Sequence, residues 1–327
     1  MTTNAIAPIR KKLVEIDSRT WEHPADRAAL AALRAIPGFY EVLRKLFGMI
    51  GERGARLAFR ANAVRVGPKQ FPRLHTLWLG VLDTLDSPEQ YELFVAQSPL
   101  VNAGAYGLDR PWVILLSGSL RLLDDDEVSS IMGHELGHVL SGHAIYHTML
   151  EILLQLAQSG FPGIGMIAMP ILLALLEWYR KSELSADRAG LLACQQPAAS
   201  MGALMRLAGG GRPDEMDLNA FLEQAEEYRH SDNILDTVLK VMNTLRTTHP
   251  FLVMRAALLR DWIEAGAYDR VLRGEYPRRS DAKPAWTEDV GAAFRHYTGG
   301  AQESAEKAGD ALRKVRDAFD RGFKSGS

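Results

Sequence analysis

Cysteine is almost missing from this sequence: Cys194 is the single one in 327 residues. An intrachain disulfide is therefore excluded, and the chain suits a reducing compartment. Excess positive charge is missing too. The net charge is −2, which gives no footing for nucleic acid as a partner. The sequence also lacks an unbroken apolar stretch of the roughly 20 residues that a membrane-spanning helix needs. Its longest uncharged run lies between Glu151 and Glu177. That run is interrupted by Gln155, Gln158, Ser159 and the breaker Gly160-Phe161-Pro162-Gly163, and Pro170 sits inside its second half. A helical hairpin with an apolar tip is expected there. Peripheral membrane contact through residues 160–176 is the alternative. Residues 1–17 include Arg10, Lys11 and Lys12 but no sustained apolar core, so they do not read as a secretory signal. A cytoplasmic location is expected, with membrane association as the alternative. No internal repeat is present.

With 47% hydrophobic and 24% charged residues, the chain can bury a large core. The patterning predicts an α+β protein, mostly helical. Residues 25–50 read as helix, broken at Pro37-Gly38. Short strands are expected over 61–66, 91–97, 101–106 and 112–117. The turn Gly107-Leu108-Asp109-Arg110 joins the last two as a hairpin. Helices are expected over 72–85, 198–207, 218–228, 234–245 and 250–264. Residues 278–283 read as a linker. An amphipathic helix follows over 302–323, with Ala308, Leu312, Val315, Phe319 and Phe323 on one stripe. The expected organisation is an N-terminal helical region over 1–60, a central domain over 61–275, and a linker with its tail helix over 276–327.

The chemistry concentrates in Gly133-His134-Glu135-Leu136-Gly137-His138, an HExxH sequence. Val128, Ile131, Met132, Leu136, Val139 and Leu140 recur around it at helical spacing, and Asp124, Asp125 and Asp126 stand where a helix N-terminus needs caps. On a helix, His134 and His138 share a face one turn apart, the spacing at which two imidazoles bind one zinc ion. Glu135 then stands beside the open metal position, placed to take a proton from a zinc-activated water. That is the chemistry of peptide-bond hydrolysis. Gly133 and Gly137 are poor helix formers, each costing about 1 kcal/mol relative to Ala, so another element is expected to pack closely against them.

A catalytic zinc takes three protein ligands, and counting tests where the third comes from. The HExxHxxGxxH layout fails, because Ser141 and Ala144 occupy the glycine and last histidine positions. A glutamate nineteen residues beyond the second histidine fails too, because Ala157 stands there. If the helix runs on past His138, His143 is turned about 140° away from it, so His143 and His147 are expected to be ordinary polar-face residues. Glu183 fits better. Phe161, in the breaker, stands 23 residues after His138 and 22 before Glu183. Two antiparallel helices joined there, each arm roughly 33–35 Å long, bring Glu183 level with His138. Asp187, one turn further on, is placed to accept a hydrogen bond from a liganding imidazole. The strand over 101–106 just before the metal helix offers an edge on which a peptide substrate can be added as a further strand. Should Glu183 fail as a ligand, His249 is the next residue to test.

His134-Glu135-x-x-His138 with Glu183-x-x-x-Asp187 resembles the HtpX-like zinc metallopeptidases, a family that also includes the CAAX prenyl endopeptidases. Asn102-Ala103-Gly104-Ala105 resembles that family's edge strand, the run from Ser117 to Leu140 its approach to the metal helix, and Thr248-His249-Pro250 with Arg255 its late HP segment. The resemblance spans roughly Ala61 to Leu259. It implies a zinc-dependent endopeptidase with a role in protein quality control. One zinc ion is held by His134, His138 and Glu183, Glu135 is general base and acid, and Asp187 supports a ligand. Asn102, Ala103 and Ala105 lie along the substrate. It also implies that His249 lies over the zinc, stabilising the oxyanion or occupying the open position; Pro250 after it is equally compatible with a structural cap. The protein or peptide substrate and the oligomeric state are left open. Two alternatives stand: a membrane-associated protease of the same family, and a non-catalytic protein that uses a structural zinc and binds clients.

Overall fold

The computed structural model describes residues 10–36, 38, 39, 41, 57, 61–107, 110–158, 168–211, 213–230 and 251–281. The expected turn at 160–163, the helix over 234–245, His249 and the tail helix over 302–323 lie outside these residues.

Helices and one small sheet make up the described chain, as the patterning predicts. Helix α1 (Pro24–Arg34) has Pro24 in its first turn, and His23 Nδ1 caps it by accepting from the Ala25 N–H. Strand β1 (Ala63–Arg65) and helix α2 (Pro72–Thr84) follow. Then come β2 (Glu92–Ala96), β3 (Ala103–Tyr106) and β4 (Trp112–Leu116). The strand order is β1-β2-β4-β3, with β2 and β4 parallel and the two outer pairs antiparallel. Strand β3 is thus at an edge. Side chains alternate across the sheet. Leu93, Val95, Val113 and Leu115 enter the main core, whereas Phe94, Trp112 and Ile114 form a separate small cluster.

The HExxH sequence lies on α3 (Asp125–Leu140). Asp124 caps it, accepting from the Asp126 and Glu127 N–H groups, while Glu127 Oε2 accepts from the Asp124 N–H to complete a capping box. The helix is buried on nearly all sides, including Ser129, Ser130 and Glu127. It does not run on into the first arm of a hairpin as expected. Gly142 adopts φ +71°, its N–H reaches the Val139 carbonyl, and the His143 N–H reaches back to the His138 carbonyl. This pair of bonds is a Schellman stop, for which a glycine in the left-handed region is the favoured residue. A separate helix, α4 (Ala144–Gln158), then begins.

Helix α5 (Ala168–Cys194) carries Glu183 and Asp187 and packs antiparallel on α3. The expected hairpin therefore has a first arm in two pieces, α3 and α4, with α5 against both. Helices α6 (Pro197–Gly209), α7 (Leu218–His230), α8 (Leu252–Glu264) and α9 (Ala267–Arg273) follow, and single short turns of helix stand at Ser18–Thr20, Ser119–Leu122 and Pro213–Glu215. Two large apolar clusters hold it together. One joins α2, α3, the sheet and α8 with Leu13, Ile16 and Trp21 of the N-terminal segment. The other joins α1, α4 and α5 around Leu33, Phe39, Met149, Leu175 and Trp178. The segment at 278–281, read as a linker, lies against the chain start: Arg278 bridges to Ile16, and the Arg279 guanidinium donates to the Ile16 carbonyl and to Asp86.

Candidate metal centre

The site is set by how closely α3 and α5 approach. A Cβ added to Gly137 would stand 2.5 Å from the Ala189 Cβ, and one added to Gly190 would stand 2.7 Å from the Ser130 carbonyl oxygen. At Gly133 a Cβ would collide with Ala193. The two expected close-approach glycines are therefore filled by small residues of α5. Backbones this near leave room for short reach only, so side chains one turn apart on each helix meet across the gap.

Among the described residues, His134, His138 and Glu183 are the group whose donor atoms converge as metal ligands would. His134 Nε2 and His138 Nε2 are 3.1 Å apart, Glu183 Oε1 is 3.3 Å from His138 Nε2, and Glu183 Oε2 is 3.7 Å from His134 Nε2. A tetrahedral zinc with bonds near 2.0–2.1 Å places its ligand atoms about 3.3 Å from one another. The set of two imidazoles and one carboxylate also suits zinc. All three side chains are buried. The residues present therefore fit the ion that the motif implies.

Neighbouring groups hold these donors in place. Asp187 Oδ1 lies 3.0 Å from His134 Nδ1, so the Nδ1 proton points to the carboxylate and Nε2 is left with its lone pair. Arg255 on α8 donates to Asp187 through Nε at 2.8 Å and Nη2 at 2.6 Å, and its Nη1 lies 2.7 Å from Glu183 Oε2. One guanidinium thus clamps a candidate ligand and the carboxylate behind another. Burial raises the Asp187 carboxyl, but Arg255 outweighs it and holds the group below its ordinary range. At His134 burial works against the proton, whereas Asp187 and Glu183 together raise its affinity above that of an ordinary imidazole. For His138 burial dominates over the pull of Glu183 and holds the ring down to about 3, so it stays neutral, as a ligand must.

His143 and His147 are not polar-face residues turned away from the site. Both are buried. The Schellman stop redirects the chain after His138, so the 140° rotation of a continuous helix does not apply. His143 Nδ1 lies 3.1 Å from His138 Nδ1. The His147 ring stacks edge-on to His138 with centroids 4.4 Å apart and touches Tyr179. Burial pushes the His147 imidazole well below its usual range, helped by the neighbouring histidines.

A cleft of about 400 Å³ opens over these residues. Its walls include Val101 and Asn102, the edge-strand residues Ala103, Gly104, Ala105 and Tyr106, Glu135, and the apolar Ile131, Leu150, Leu154, Leu207 and Leu252. Glu135 therefore faces the same space as the three candidate ligands, and the sequence-predicted substrate strand lines it. Burial, with Glu135 and Glu151 nearby, pushes the Tyr106 hydroxyl up to about 12. Tyr179 is raised well above its ordinary value, first by burial and then by Glu183 and Glu135. Both phenols stay protonated donors in the cleft.

Sequence reasoning assigned no role to Arg255, although a lone arginine within the apolar Phe251-Leu252-Val253-Met254-Arg255-Ala256-Ala257 signals a buried ion pair. Ser141-Gly142 after the last motif residue signals the helix stop that brings in His143 and His147. Tyr106 and Tyr179 had no readable local signal.

The sequence pattern of Peptidase family M48 matches residues 68–263. The chain is 33% identical over 275 residues to "Plastoglobule-localized metallopeptidase 48, chloroplastic" of Arabidopsis thaliana, covering 82% of this chain and 79% of that protein. It is 29% identical over 190 residues to "Protease HtpX homolog" of Tropheryma whipplei (strain Twist), and 28% over 198 residues to its counterpart in strain TW08/27. Each of these covers 49% of this chain and 64% of the relative. No solved structure matches the chain.

Proposed function

The chain belongs to peptidase family M48 and is a metallopeptidase, and we propose that it is an endopeptidase with one zinc ion held by His134 Nε2, His138 Nε2 and the Glu183 carboxylate. The observation that carries this reading is the convergence of those three buried donors beside Glu135 in one cleft. Zinc bound there supplies a Lewis acid and brings the pKa of a water down to about 7. Glu135 accepts the proton of the attacking water on its carboxylate and delivers it to the nitrogen of the departing amine. Asp187 keeps the His134 proton on Nδ1, and Arg255 fixes both Asp187 and the candidate ligand Glu183. Asn102, just before the edge strand β3, and Ala103 and Ala105 within it lie along the substrate and hold it extended across Glu135. By the family resemblance, His249 donates to the developing oxyanion.

Exchange of Glu135 for Gln tests this. The variant should bind one zinc per chain, as the wild type does, and lose peptide cleavage. Full turnover with Glu135→Gln would overturn the assignment. No described helix is long and apolar enough to cross a membrane. We propose a cytoplasmic location on the strength of the single cysteine, although the name of the Arabidopsis thaliana relative gives that protein a chloroplast plastoglobule location, and quality-control substrates on the strength of the resemblance to HtpX-like proteases. Recovery of the full chain in a carbonate-washed membrane pellet would move it to a membrane surface instead.

A further inference from the structure

His134 has a carboxylate behind it, whereas His138 has another imidazole. Nδ1 of His138 lies 3.1 Å from Nδ1 of His143, and on the far side of that ring His143 Nε2 stands 3.3 Å from Asp26 Oδ2. Asp26 belongs to α1, outside the residues that match the family pattern. It is 1% exposed, and its position is fixed from two other sides. Its Oδ1 accepts from Trp178 Nε1 at 2.9 Å, and its Oδ2 accepts from the Ser185 hydroxyl at 2.6 Å. Ser185 in turn accepts from the His23 backbone N–H.

We propose that Asp26 and His143 are positioning residues that set the tautomer of the metal-binding His138. Two imidazole nitrogens 3.1 Å apart cannot both carry a proton, and if neither does, two lone pairs face each other. The buried Asp26 carboxylate beside His143 Nε2 keeps that ring's proton on Nε2. His143 Nδ1 is then an acceptor, and His138 Nδ1 must be the donor. This leaves the lone pair of His138 on Nε2, facing His134 Nε2 and Glu183; without a metal the same argument requires a proton on His134 Nε2 or on Glu183, and bound zinc would take its place. The opposite polarity would put an N–H into the middle of the ligand set. Asp187 gives His134 the same polarity directly; Asp26 gives it to His138 through one intervening imidazole.

The inference rests on the zinc reading above, so its test includes a measurement that needs no zinc. On the full chain with ¹⁵N-labelled histidine, NMR of the zinc-free protein should show His138 protonated at Nδ1. Zinc affinity is then read by chelator competition for two replacements of His143. In His143→Gln the amide oxygen can accept from His138 and the amide N–H can face Asp26, so zinc affinity should stay within about threefold of wild type. His143→Leu can do neither and should lose about 10- to 100-fold, with the His138 proton spread over both nitrogens. If His143→Leu does not fold, Asp26→Asn, which keeps an oxygen for Trp178, should show a loss of the same kind. A folded His143→Leu or Asp26→Asn with wild-type zinc affinity would overturn the proposal. So would His138 protonated at Nε2 in the zinc-free wild type. Wild-type protein that takes up no zinc would refute the metal reading, while the tautomer result would still decide the Asp26–His143 arrangement.

Discussion

Gly137→Ala is the sharpest perturbation of the helix contact on which the site depends. Two effects oppose each other. Alanine favours the helix by about 1 kcal/mol over glycine. The new Cβ, however, stands 2.5 Å from the Ala189 Cβ, and carbon atoms rest at about 3.5–4.0 Å. Neither atom can turn away, because each is fixed to a helix backbone, so α3 and α5 must separate by about 1 Å. Overpacking of this kind costs about 1–3 kcal/mol. The clash should win, with a net loss of about 1 kcal/mol and a Tm lower by roughly 2–4 °C. The larger effect is at the site. His138 and Glu183 approach to 3.3 Å across this same contact, and a 1 Å misplacement can lower activity by about 100-fold. Gly80→Ala is the control. Gly80 lies within α2 with nothing within 4 Å of an added Cβ, so it should gain about 0.4–1 kcal/mol. The double variant Gly137→Ala/Ala189→Gly removes the clash and should recover zinc affinity, giving a coupling energy above about 0.5 kcal/mol. Thermal unfolding and chelator competition measure both quantities. Gly137→Ala with wild-type stability and zinc affinity, or no coupling to Ala189→Gly, would refute the argument.

Removal of the shared guanidinium in Arg255→Ala leaves Asp187 and Glu183 without their clamp and should cost about 3–5 kcal/mol in urea unfolding; Arg255→Lys should recover only part, because an ammonium cannot fork to Asp187. In zinc affinity, Glu183→Ala should fall furthest, Asp187→Ala by about 10- to 100-fold, and wild type should be tightest, in competition with a chelator. His23 should make α1 sensitive to acid: burial, with Arg188, Lys181 and Arg27 nearby, lowers its imidazole to about 4, and protonation would end its cap on Ala25. Because the folded value lies below the ordinary 6.5, this stability is complete above pH 6.5 and declines as pH falls toward 4. His23→Asn keeps a capping oxygen without that titration and should flatten the decline, as read by hydrogen exchange of the α1 amides.

Legibility tracked distance along the chain. His134, Glu135 and His138 are local to one helix, and their spacing alone placed them on one face. Glu183 was within reach because the count to a strong breaker on either side matched, even though the first arm proved to be two helices. That count survived the error because α3 and α4 both pack on α5, so the level of Glu183 depends on α5 meeting α3. The error itself came from reading periodicity past Leu140 without weighing Gly142 as a left-handed stop, and it hid two buried histidines. Asp26 was beyond reach in principle. Its role depends on α1 packing against α5, a contact with no counterpart in any short pattern.

That packing ties the start of the described chain to the two helices that carry the candidate metal ligands. Leu13, Ile16 and Trp21 are at most 1% exposed within the main core. Trp21 Nε1 donates to the Ser141 hydroxyl at 3.0 Å, just where α3 stops. The His23 N–H donates to Ser185, two residues from Glu183 and from Asp187 on α5. One short stretch therefore ties down the C-terminal end of the HExxH helix and the middle of the helix that carries the third candidate ligand. Each bond alone is worth only about 1 kcal/mol. Together with the buried side chains they fix the two helices relative to each other, through a part of the chain that contributes none of the converging candidate donor atoms.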